Sequence, residues 1–225
     1  MIYSLLKRIF DVLLSFVLIL LLSPLFFLIL FGLLISGNDL LYFQNRIGKD
    51  GNVFRVIKFS TMLRNSLDLP GGSITVRNDP RITRFGFLLR ITKLNELPQL
   101  LNVFTGSMSF VGPRPYMKDG FYSFSESAQK VLIQQRPGIT GISSVVFRDE
   151  EYFVTHSGIN SLLFYKNYIF PFKSELELWY YHNRSIYVDL MILALTGYKI
   201  VFPKSTLEYK VFKTLPKSDY FLKIK

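Results

Sequence analysis

The sequence predicts an α+β fold that is mostly helical, with a membrane-associated segment at the N-terminus and a small β element. Three patterns support this prediction. Residues 12–35 are apolar and uncharged, and a straight helix of about 36 Å would be long enough to span a bilayer core. Two β-rich runs, at residues 40–43 and 53–59, flank a turn rich in glycine and charge. Much of the remaining chain has apolar residues at helical spacing, which predicts amphipathic helices.

The composition narrows the class of protein. A chain of 225 residues is enough for one domain, or for one domain with an appendage. Its net charge of +11 and isoelectric point near 9.7 call for anionic partners, such as nucleic acid, an anionic membrane or a phosphate-rich substrate. The absence of cysteine excludes disulfides, thiolate metal sites and a cysteine nucleophile. His156 and His182 form no ligand-spaced motif, so we expect them to be structural or exposed.

The apolar segment contains Ser23-Pro24 at its middle. Proline lacks a backbone donor and clashes with the preceding turn, which predicts a kink or a break. Two arms of about 18 Å each would form a re-entrant hairpin of half-bilayer depth. Lys7 and Arg8 precede the segment and all other lysines and arginines follow it, an arrangement that a hairpin keeps on one membrane face. A kinked spanning helix also remains open at this point. The segment is too long for a signal peptide and lacks a cleavage site, so we expect it to be retained.

Two helices are predicted in the centre of the chain. Residues 82–91 interleave apolar and basic side chains, which predicts a helix either at a lipid interface or on the core with a solvated basic edge. The second helix is predicted to begin near Asn95 and Glu96, with Asn95 as its N-cap and Pro98 in its first turn. Its N-terminal amides would face an anion. The apolar residues that predict this helix are Leu97, Leu100, Leu101 and Phe104.

The C-terminal half is also predicted to be mostly helical. Ser174 is the expected N-cap of its longest helical region. Asp189 interrupts the apolar part of that region, which favours an interfacial or core helix over a second membrane span. In order, we expect a helix over residues 123–135, a turn over 136–141, a β-like run over 144–147, an acidic cluster at 149–151, a helical region over 174–202 and a loose basic tail from residue 204.

Residues 92–115 concentrate the candidate chemistry. Glu96 stands beside Asn95, and a rigid Gly-Pro-Arg-Pro turn holds Arg114. A carboxylate and a fixed guanidinium suit a metal-bound, phosphate-bearing substrate.

Short motifs along most of the chain match one known family in order. They lie at residues 7–11, 23–24, 44–48, 58–62, 79–83, 95–100, 106–109, 111–115 and 136–141, and at Asp189. Each motif alone is weak, but the ordered set is highly specific. The chain resembles the bacterial sugar transferases, the monotopic polyprenyl-phosphate phosphoglycosyl transferases.

The resemblance implies transfer of a sugar 1-phosphate from a UDP-sugar to undecaprenyl phosphate, with release of UMP, as the initiating step of surface polysaccharide or glycoconjugate assembly. It implies Mg²⁺ dependence and an active site on the cytoplasmic face of the bacterial inner membrane. The implied organisation is a re-entrant helix broken at Ser23-Pro24 within residues 1–36, a cytoplasmic catalytic domain over 37–203 and a basic tail over 204–225. Membrane lipids are further partners, and a homodimer and contact with downstream glycosyltransferases stay open.

In this family an Asp-Glu pair is catalytic. The aspartate attacks the β-phosphate and the glutamate helps to hold the metal. The resemblance therefore places the catalytic positions at Asn95 and Glu96, with Glu96 as the metal ligand. Some basic residues of the site can instead bind lipid headgroups or cap helices. The expected substrate-binding residues are Lys58, Asp79, Arg81, Arg114 and Arg136.

The chain departs from the family at three positions. Asn95 occupies the nucleophile position although a neutral amide is a poor nucleophile, Ser60 stands where arginine is common, and Ser107 where aspartate is common. Three readings stay open. In the first, the chain belongs to an active branch, in which Glu96 or another carboxylate attacks or the lipid phosphate reacts directly. In the second, it is an engineered trapped variant. In the third, it is a non-catalytic protein that binds UDP-sugar or anionic lipid, or that scaffolds an assembly complex. A nucleic-acid binder is not expected, because the basic residues are scattered and no such motif is present. The other carboxylates available are Asp79, Asp149, Glu150, Glu151 and Asp189.

Overall fold

A computed structural model describes residues 2–37, 39–64, 66 and 79–224. The described chain is mostly helical with two two-stranded sheets, which confirms the α+β prediction. It divides into two compact units. The larger unit comprises Met1–Ile9, Arg46–Phe54 and Ser107–Lys225, and the smaller unit comprises Phe10–Asn45 and Arg55–Gly106.

The N-terminal helix α1 (Ile2–Ile35) contains Pro24 and continues through it. The Ser23 hydroxyl donates to the carbonyl of Leu20 at 2.8 Å, which places a polar partner beside the proline. Within the described residues, α1 is the helix that is long and apolar enough to cross a membrane, and only 11% of its most apolar stretch is buried in the protein. Pro24 therefore does not end the helix, and a re-entrant arrangement of its two arms stays a prediction.

The smaller unit has a core built from α1 and the elements that follow it. Ile29 and Leu33 of α1 pack with Phe59 at the end of strand β2 (Val53–Phe59) and with Leu89 of α2 (Arg84–Ile91). Strand β1 (Leu41–Ile47) pairs with β2, so both predicted strands are present, although β1 extends to Ile47, into the predicted turn. A Cβ atom on Gly86 would lie 2.1 Å from the Thr61 carbonyl oxygen, so only glycine allows α2 to approach the chain this closely.

Helix α2 packs one side on the core and leaves apolar side chains exposed on the other. Leu89 is buried in the core, whereas Phe87, Leu88 and Ile91 are about half exposed. The outward side of α2 is thus apolar, as expected of a helix at a lipid interface.

The next helix, α3 (Gln99–Thr105), is fastened to β2 by Asn102, whose Oδ1 accepts from the Ile57 amide at 3.0 Å.

The larger unit contains a short parallel sheet that the sequence did not predict. Strand β3 (Ser109–Val111) pairs with β4 (Gly138–Thr140), with Val111 opposite Thr140. The prediction of a turn over residues 136–141 is therefore wrong. A Cβ atom on Gly138 would lie 2.2 Å from the Gly112 amide nitrogen, so the glycine that suggested a turn instead permits close strand contact.

Of two further local predictions, one is wrong and one is confirmed in part. Residues 144–147 do not form a strand, because α6 (Ile142–Val146) buries Ile142, Val145 and Val146 at helical spacing. The helix predicted over 123–135 is confirmed over a shorter range, as α5 (Glu126–Leu132), and a separate short helix, α4 (Lys118–Tyr122), precedes it. Ser125 caps α5 by accepting from the Ala128 amide at 3.3 Å, so the helix begins three residues after the predicted start.

The long C-terminal helical region is interrupted. After α7 (Glu150–His156) and α8 (Ser161–Phe164), a π-helical segment leads into α9 (Phe170–Asn183), and α10 (Ile186–Val201) follows. Ser185 caps α10 by accepting from the Val188 amide at 3.2 Å. Ser174 is not an N-cap: it is buried within α9, where its hydroxyl donates to the Phe170 carbonyl at 2.8 Å.

The residues after position 204 are folded, so the prediction of a loose tail is wrong. They form α11 (Glu208–Val211) and α12 (Asp219–Ile224). Phe221 joins a cluster of aromatic rings that includes Phe147, Phe153 and Phe172. Aromatic residues placed between the lysines of this segment supply its buried contacts. The buried apolar residues of the segment are Tyr209, Phe212, Leu215 and Phe221.

Candidate active site

Lys58 and Glu96 meet in the smaller unit. Lys58 lies near the end of β2, and Glu96 ends a single 3₁₀ turn, Leu94–Glu96, between α2 and α3. Lys58 Nζ is 3.1 Å from Glu96 Oε1, and the two side chains are 22% and 16% exposed. The structure thus pairs a predicted catalytic residue with a predicted substrate-binding residue in a mostly covered position, where charge-assisted hydrogen bonds are strongest.

Asn95 does not cap a helix. Lys93 adopts a left-handed conformation with φ 60° and starts the 3₁₀ turn, so the α-helix begins only at Gln99 with Pro98 at its N-cap. The prediction that the helix begins near Asn95 and Glu96 is therefore wrong. Asn95 Oδ1 is buried and has no hydrogen-bond partner among the described residues. An unpaired buried oxygen of this kind costs about 1–3 kcal/mol, and a bound ligand would remove that penalty.

Asp79 and Arg81 form a second ion pair in the same unit. Arg81 Nε donates to Asp79 Oδ1 at 2.9 Å and the guanidinium also donates to Oδ2 at 2.6 Å. The Arg81 hydrogen bond lowers the pKa of Asp79 to about 2. Both the Arg81 side chain and the Arg81 backbone amide, at 3.0 Å, donate to the Asp79 carboxylate. Asp79 is therefore a structural partner of the guanidinium rather than a poised nucleophile.

The backbone ties this pair to the strand that bears Lys58. The Thr83 amide donates to the Thr61 carbonyl at 3.1 Å, and the Leu63 amide donates to the Arg81 carbonyl at 2.8 Å. Residues 79–83 therefore run beside the chain that continues from β2.

Arg90 belongs to this neighbourhood and was missed as a candidate. Its Nε donates to Thr61 Oγ1 at 2.8 Å, and its charge helps to lower the pKa of Asp79. The signal in the sequence was the matched motif at residues 58–62, which contains its partner Thr61. Arg90 itself was interpreted only as part of a basic helix edge.

Arg114 and Arg136 lie on neighbouring segments of the larger unit. Arg114 NH1 donates to the Ile139 carbonyl at 2.8 Å, which fixes the guanidinium as the Gly-Pro-Arg-Pro turn suggested. A Cβ atom on Gly112 would lie 2.4 Å from the Arg136 carbonyl oxygen, so the two arginine-bearing segments are in backbone contact. Arg46, also missed as a candidate, donates to the Pro115 carbonyl at 3.1 Å and supports the same turn.

The alternative carboxylates of the larger unit have structural partners. Asp149 caps α7 by accepting from the Tyr152 amide at 3.2 Å, and Glu150 pairs with Lys173 at 2.8 Å. Asp189 accepts from Tyr180 at 2.6 Å and from Tyr3 at 3.0 Å, and it also pairs with Lys7. The Glu151 side chain lies outside the described residues. Both histidines are exposed, as predicted.

Comparison with known proteins places this arrangement in context. The profile of the bacterial sugar transferases matches residues 2–203. The exopolysaccharide production protein ExoY of Rhizobium meliloti is 33% identical over 202 residues, covering 83% of this chain and 81% of that protein.

Two relatives have names that mention a lipid phosphate. The undecaprenyl-phosphate galactose phosphotransferase of Salmonella typhimurium is 31% identical over 206 residues, covering 85% of this chain and 40% of that protein. The undecaprenyl-phosphate glucose phosphotransferase of Komagataeibacter xylinus is 34% identical over 205 residues, covering 88% of this chain and 36% of that protein. The chain thus spans well under half of these two longer relatives. With the family profile matching nearly its whole length, the chain belongs to the bacterial sugar transferase family.

Proposed function

We propose that the protein transfers a sugar 1-phosphate from a UDP-sugar to undecaprenyl phosphate, giving a polyprenyl-diphosphate sugar and UMP, as the initiating step of surface glycan assembly. The observation that carries the proposal is the Lys58–Glu96 pair, next in sequence to Asn95, whose Oδ1 is buried and has no partner in the described part of the chain. The names of the Salmonella and Komagataeibacter relatives support the acceptor and the type of reaction.

The reaction exchanges one phosphorus–oxygen bond for another. The bond between the β-phosphorus and the oxygen that bridges to the α-phosphate breaks, and UMP leaves with that oxygen. An oxygen of the lipid phosphate ends bonded to the β-phosphorus. Basic groups stabilise the charge that develops on these oxygens. The candidates in the smaller unit are Lys58, Arg81 and Arg90, and those in the larger unit are Arg114 and Arg136.

The residues at Glu96 fit a magnesium ion. The described residues contain no cluster of three or more acidic, histidine or cysteine side chains, but Mg²⁺ commonly binds through one or two carboxylates, with waters and substrate phosphates completing its shell. Glu96 offers a carboxylate, and Asn95, the residue before it, offers a buried oxygen that has no partner among the residues the structure describes. When bound, the ion would neutralise charge on the phosphate oxygens. Lys58 would orient Glu96 for this contact.

Asn95 leaves two routes for the transfer. In the first, Glu96 bonds to the β-phosphorus, UMP leaves, and the lipid phosphate then displaces the carboxylate. In the second, the lipid phosphate attacks the β-phosphorus directly. Exchange of labelled UMP into the UDP-sugar without acceptor lipid distinguishes them, because only the first route releases UMP before the lipid reacts.

We also propose a monotopic arrangement in the bacterial inner membrane, with the active site on the cytoplasmic face. Ser15 and Leu33 of α1 are completely buried, whereas no residue between positions 16 and 28 is fully buried. Phe16 stacks on Phe104 at 6.2 Å, on the N-terminal side of Pro24, and the C-terminal arm packs into the core of the same unit. The exposed apolar stretch on both sides of Pro24 supports insertion into the bilayer, and a bend at Pro24 would let both arms return to the same leaflet.

Cysteine labelling tests the topology, since the chain has no cysteine of its own. Ile2→Cys and Leu40→Cys mark exposed positions at the two ends of the segment. Both should react with an impermeant maleimide in inverted vesicles and neither in intact spheroplasts. Labels on opposite faces would contradict the monotopic arrangement.

UMP release tests the activity. The protein in membranes is incubated with undecaprenyl phosphate, Mg²⁺ and a panel of UDP-sugars that includes UDP-glucose and UDP-galactose. Release should depend on both the acceptor and the metal. No release across the panel, in the presence of a working control enzyme, would refute the proposal.

A second function is favoured by one observation, the amide at position 95. A catalytically impaired family member would act as a membrane-bound substrate-binding or scaffold protein. It would bind UDP-sugar without releasing UMP, and Asn95→Asp would be the substitution expected to restore turnover. Calorimetric titration with UDP-sugar, run beside the release assay, separates this function from the first.

A further inference from the structure

Helix α10 carries its two charged side chains inward, beside buried Val188, Ile192 and Leu195, and its outward face is also mostly apolar. Lys199 is completely buried and Asp189 is 5% exposed, whereas Tyr187 is 64% and Val201 is 69% exposed. This is the reverse of a helix on a water-soluble surface, where the polar face is outside. Ionisable residues turned inward and paired are characteristic of helices that contact lipid. The outward stripe of α10 consists of Tyr187, Leu190, Ala194, Gly197, Tyr198 and Val201.

The first turns of α1 belong to the same unit and lie against the start of α10. The Tyr3 hydroxyl donates to Asp189 Oδ2 at 3.0 Å, and Lys7 pairs with the same carboxylate. On these turns, Leu5 is more than half exposed and Leu6 is half exposed. The start of α10 therefore lies against the helix that has the length and hydropathy of a membrane segment.

A groove of about 320 Å³ opens beside α10, within the range of small-molecule sites. The buried ion pair between Lys199 and Glu208, at 2.7 Å, fastens α11 to α10 and so fixes the far wall of the groove. None of the residues that line it is charged. They are Met191, Ala194, Leu195 and Tyr198 of α10, with Leu207 and Val211 of the C-terminal segment.

The inward face of α10 touches the segment that holds the arginines. Thr196 Oγ1 lies 2.8 Å from Thr140 Oγ1, and the neighbouring Ile139 carbonyl accepts the hydrogen bond from Arg114. The groove side of α10 is thus about one helix diameter, roughly 10 Å, from a segment suited to bind phosphate. A lipid with a phosphate at one end and a long hydrocarbon chain matches this order of polar and apolar surfaces.

We infer that the groove between α10 and α11 binds the isoprenoid chain of the acceptor lipid. The inference rests on the proposed function for the identity of that lipid. It assigns to the C-terminal segment a role in acceptor recognition, since Leu207 and Val211 form one wall of the groove. The groove selects for the length of the isoprenoid chain. A short chain is used up in crossing the thickness of α10 and leaves few carbons to fill the groove.

Filling the groove tests the inference. Ala194→Trp places a bulky ring in the groove, and Ala194→Leu is a smaller addition for use if the tryptophan variant does not fold. Leu190→Trp is the matched control, on the outward stripe but outside the groove. UMP release is measured with undecaprenyl phosphate and with geranyl phosphate, which carries only two isoprene units. The ratio of the KM for the long acceptor to the KM for the short one should rise at least tenfold with Ala194→Trp and stay within twofold with Leu190→Trp. An unchanged ratio with a folded Ala194 variant would overturn the inference.

A second measurement is independent of turnover. An undecaprenyl phosphate analogue with a photoreactive group in its chain is crosslinked to the full-length protein in micelles, and the labelled peptides are mapped. Adducts on α10 and α11 that are displaced by undecaprenyl phosphate but not by an equal excess of phosphatidylglycerol support the inference, even if no UMP is released. Adducts elsewhere, or equal displacement by both lipids, overturn it, even if the transferase is active.

Discussion

The replacement Glu96→Gln separates the chemistry of the site from its contribution to folding. It keeps the size of the side chain and removes its charge. The pair that it breaks, between Lys58 Nζ and Glu96 Oε1 at 3.1 Å, is partly exposed. Ion pairs and charged hydrogen bonds in such positions contribute at most about 2 kcal/mol to the free energy of unfolding. We expect a far larger effect on the reaction: at least a 1000-fold fall in kcat/KM, which corresponds to about 4 kcal/mol of lost transition-state stabilisation.

The assay compares UMP release with thermal unfolding of the same preparations. Asp39→Asn is the matched control, because it breaks an ion pair of similar length, Arg64 Nε to Asp39 Oδ1 at 3.0 Å, in the same unit but on the exposed surface. The control should retain activity within twofold. If folded Glu96→Gln keeps more than a tenth of wild-type kcat/KM, Glu96 neither holds the metal nor attacks, and the reacting site lies elsewhere.

Four further predictions concern the fold and the site. Asn95→Asp restores the carboxylate pair of the family and should raise acceptor-independent exchange of labelled UMP at least tenfold; no increase would argue against an attacking group at this position. Glu208→Gln leaves the ammonium of Lys199 buried without the carboxylate that pairs with it, and should lower the free energy of unfolding by about 3–5 kcal/mol in a denaturation assay. Replacing both residues together, one by leucine and the other by methionine, should recover most of that loss. Burial raises the pKa of Glu177 to about 7 from 4.5, so its protonated form contributes stability below pH 4.5 that is lost as the pH rises through 7. Glu177→Gln should therefore be more stable than wild type at pH 8, by roughly 3 kcal/mol, and unfold at a higher temperature. At pH 4 it should show little gain. Pro24→Ala should favour a straight spanning helix and move the two terminal cysteine labels to opposite membrane faces.

The predictions that held depend on patterns close together in sequence. The strands β1 and β2 and the helix α2 follow from apolar and β-branched residues a few positions apart. The parallel pairing of β3 with β4 could not be predicted this way, because it joins three-residue strands separated by two helices. It depends on the close approach of Gly112 to Gly138, and glycine alone predicts a turn equally well.

The site shows the same division. The family motifs pointed to Glu96 and Lys58, although their contact needed the fold. The cap predicted at Asn95 was wrong because the left-handed residue before it starts a separate turn, and backbone conformation of that kind is not encoded in side-chain spacing. Arg90 was missed because its role depends on a hydrogen bond to Thr61, which lies 29 positions away in the chain.

The match to the family ends at residue 203, but the fold continues beyond it. A chain cut at that boundary would retain the buried ammonium of Lys199 and lose its carboxylate from α11. It would also remove Phe221 from the aromatic cluster. The end of the family match is thus not the end of the folded unit. A relative whose chain continues differently after this point would place a different wall beside the same helix, so the fit to the lipid can diverge while the residues around Glu96 stay the same.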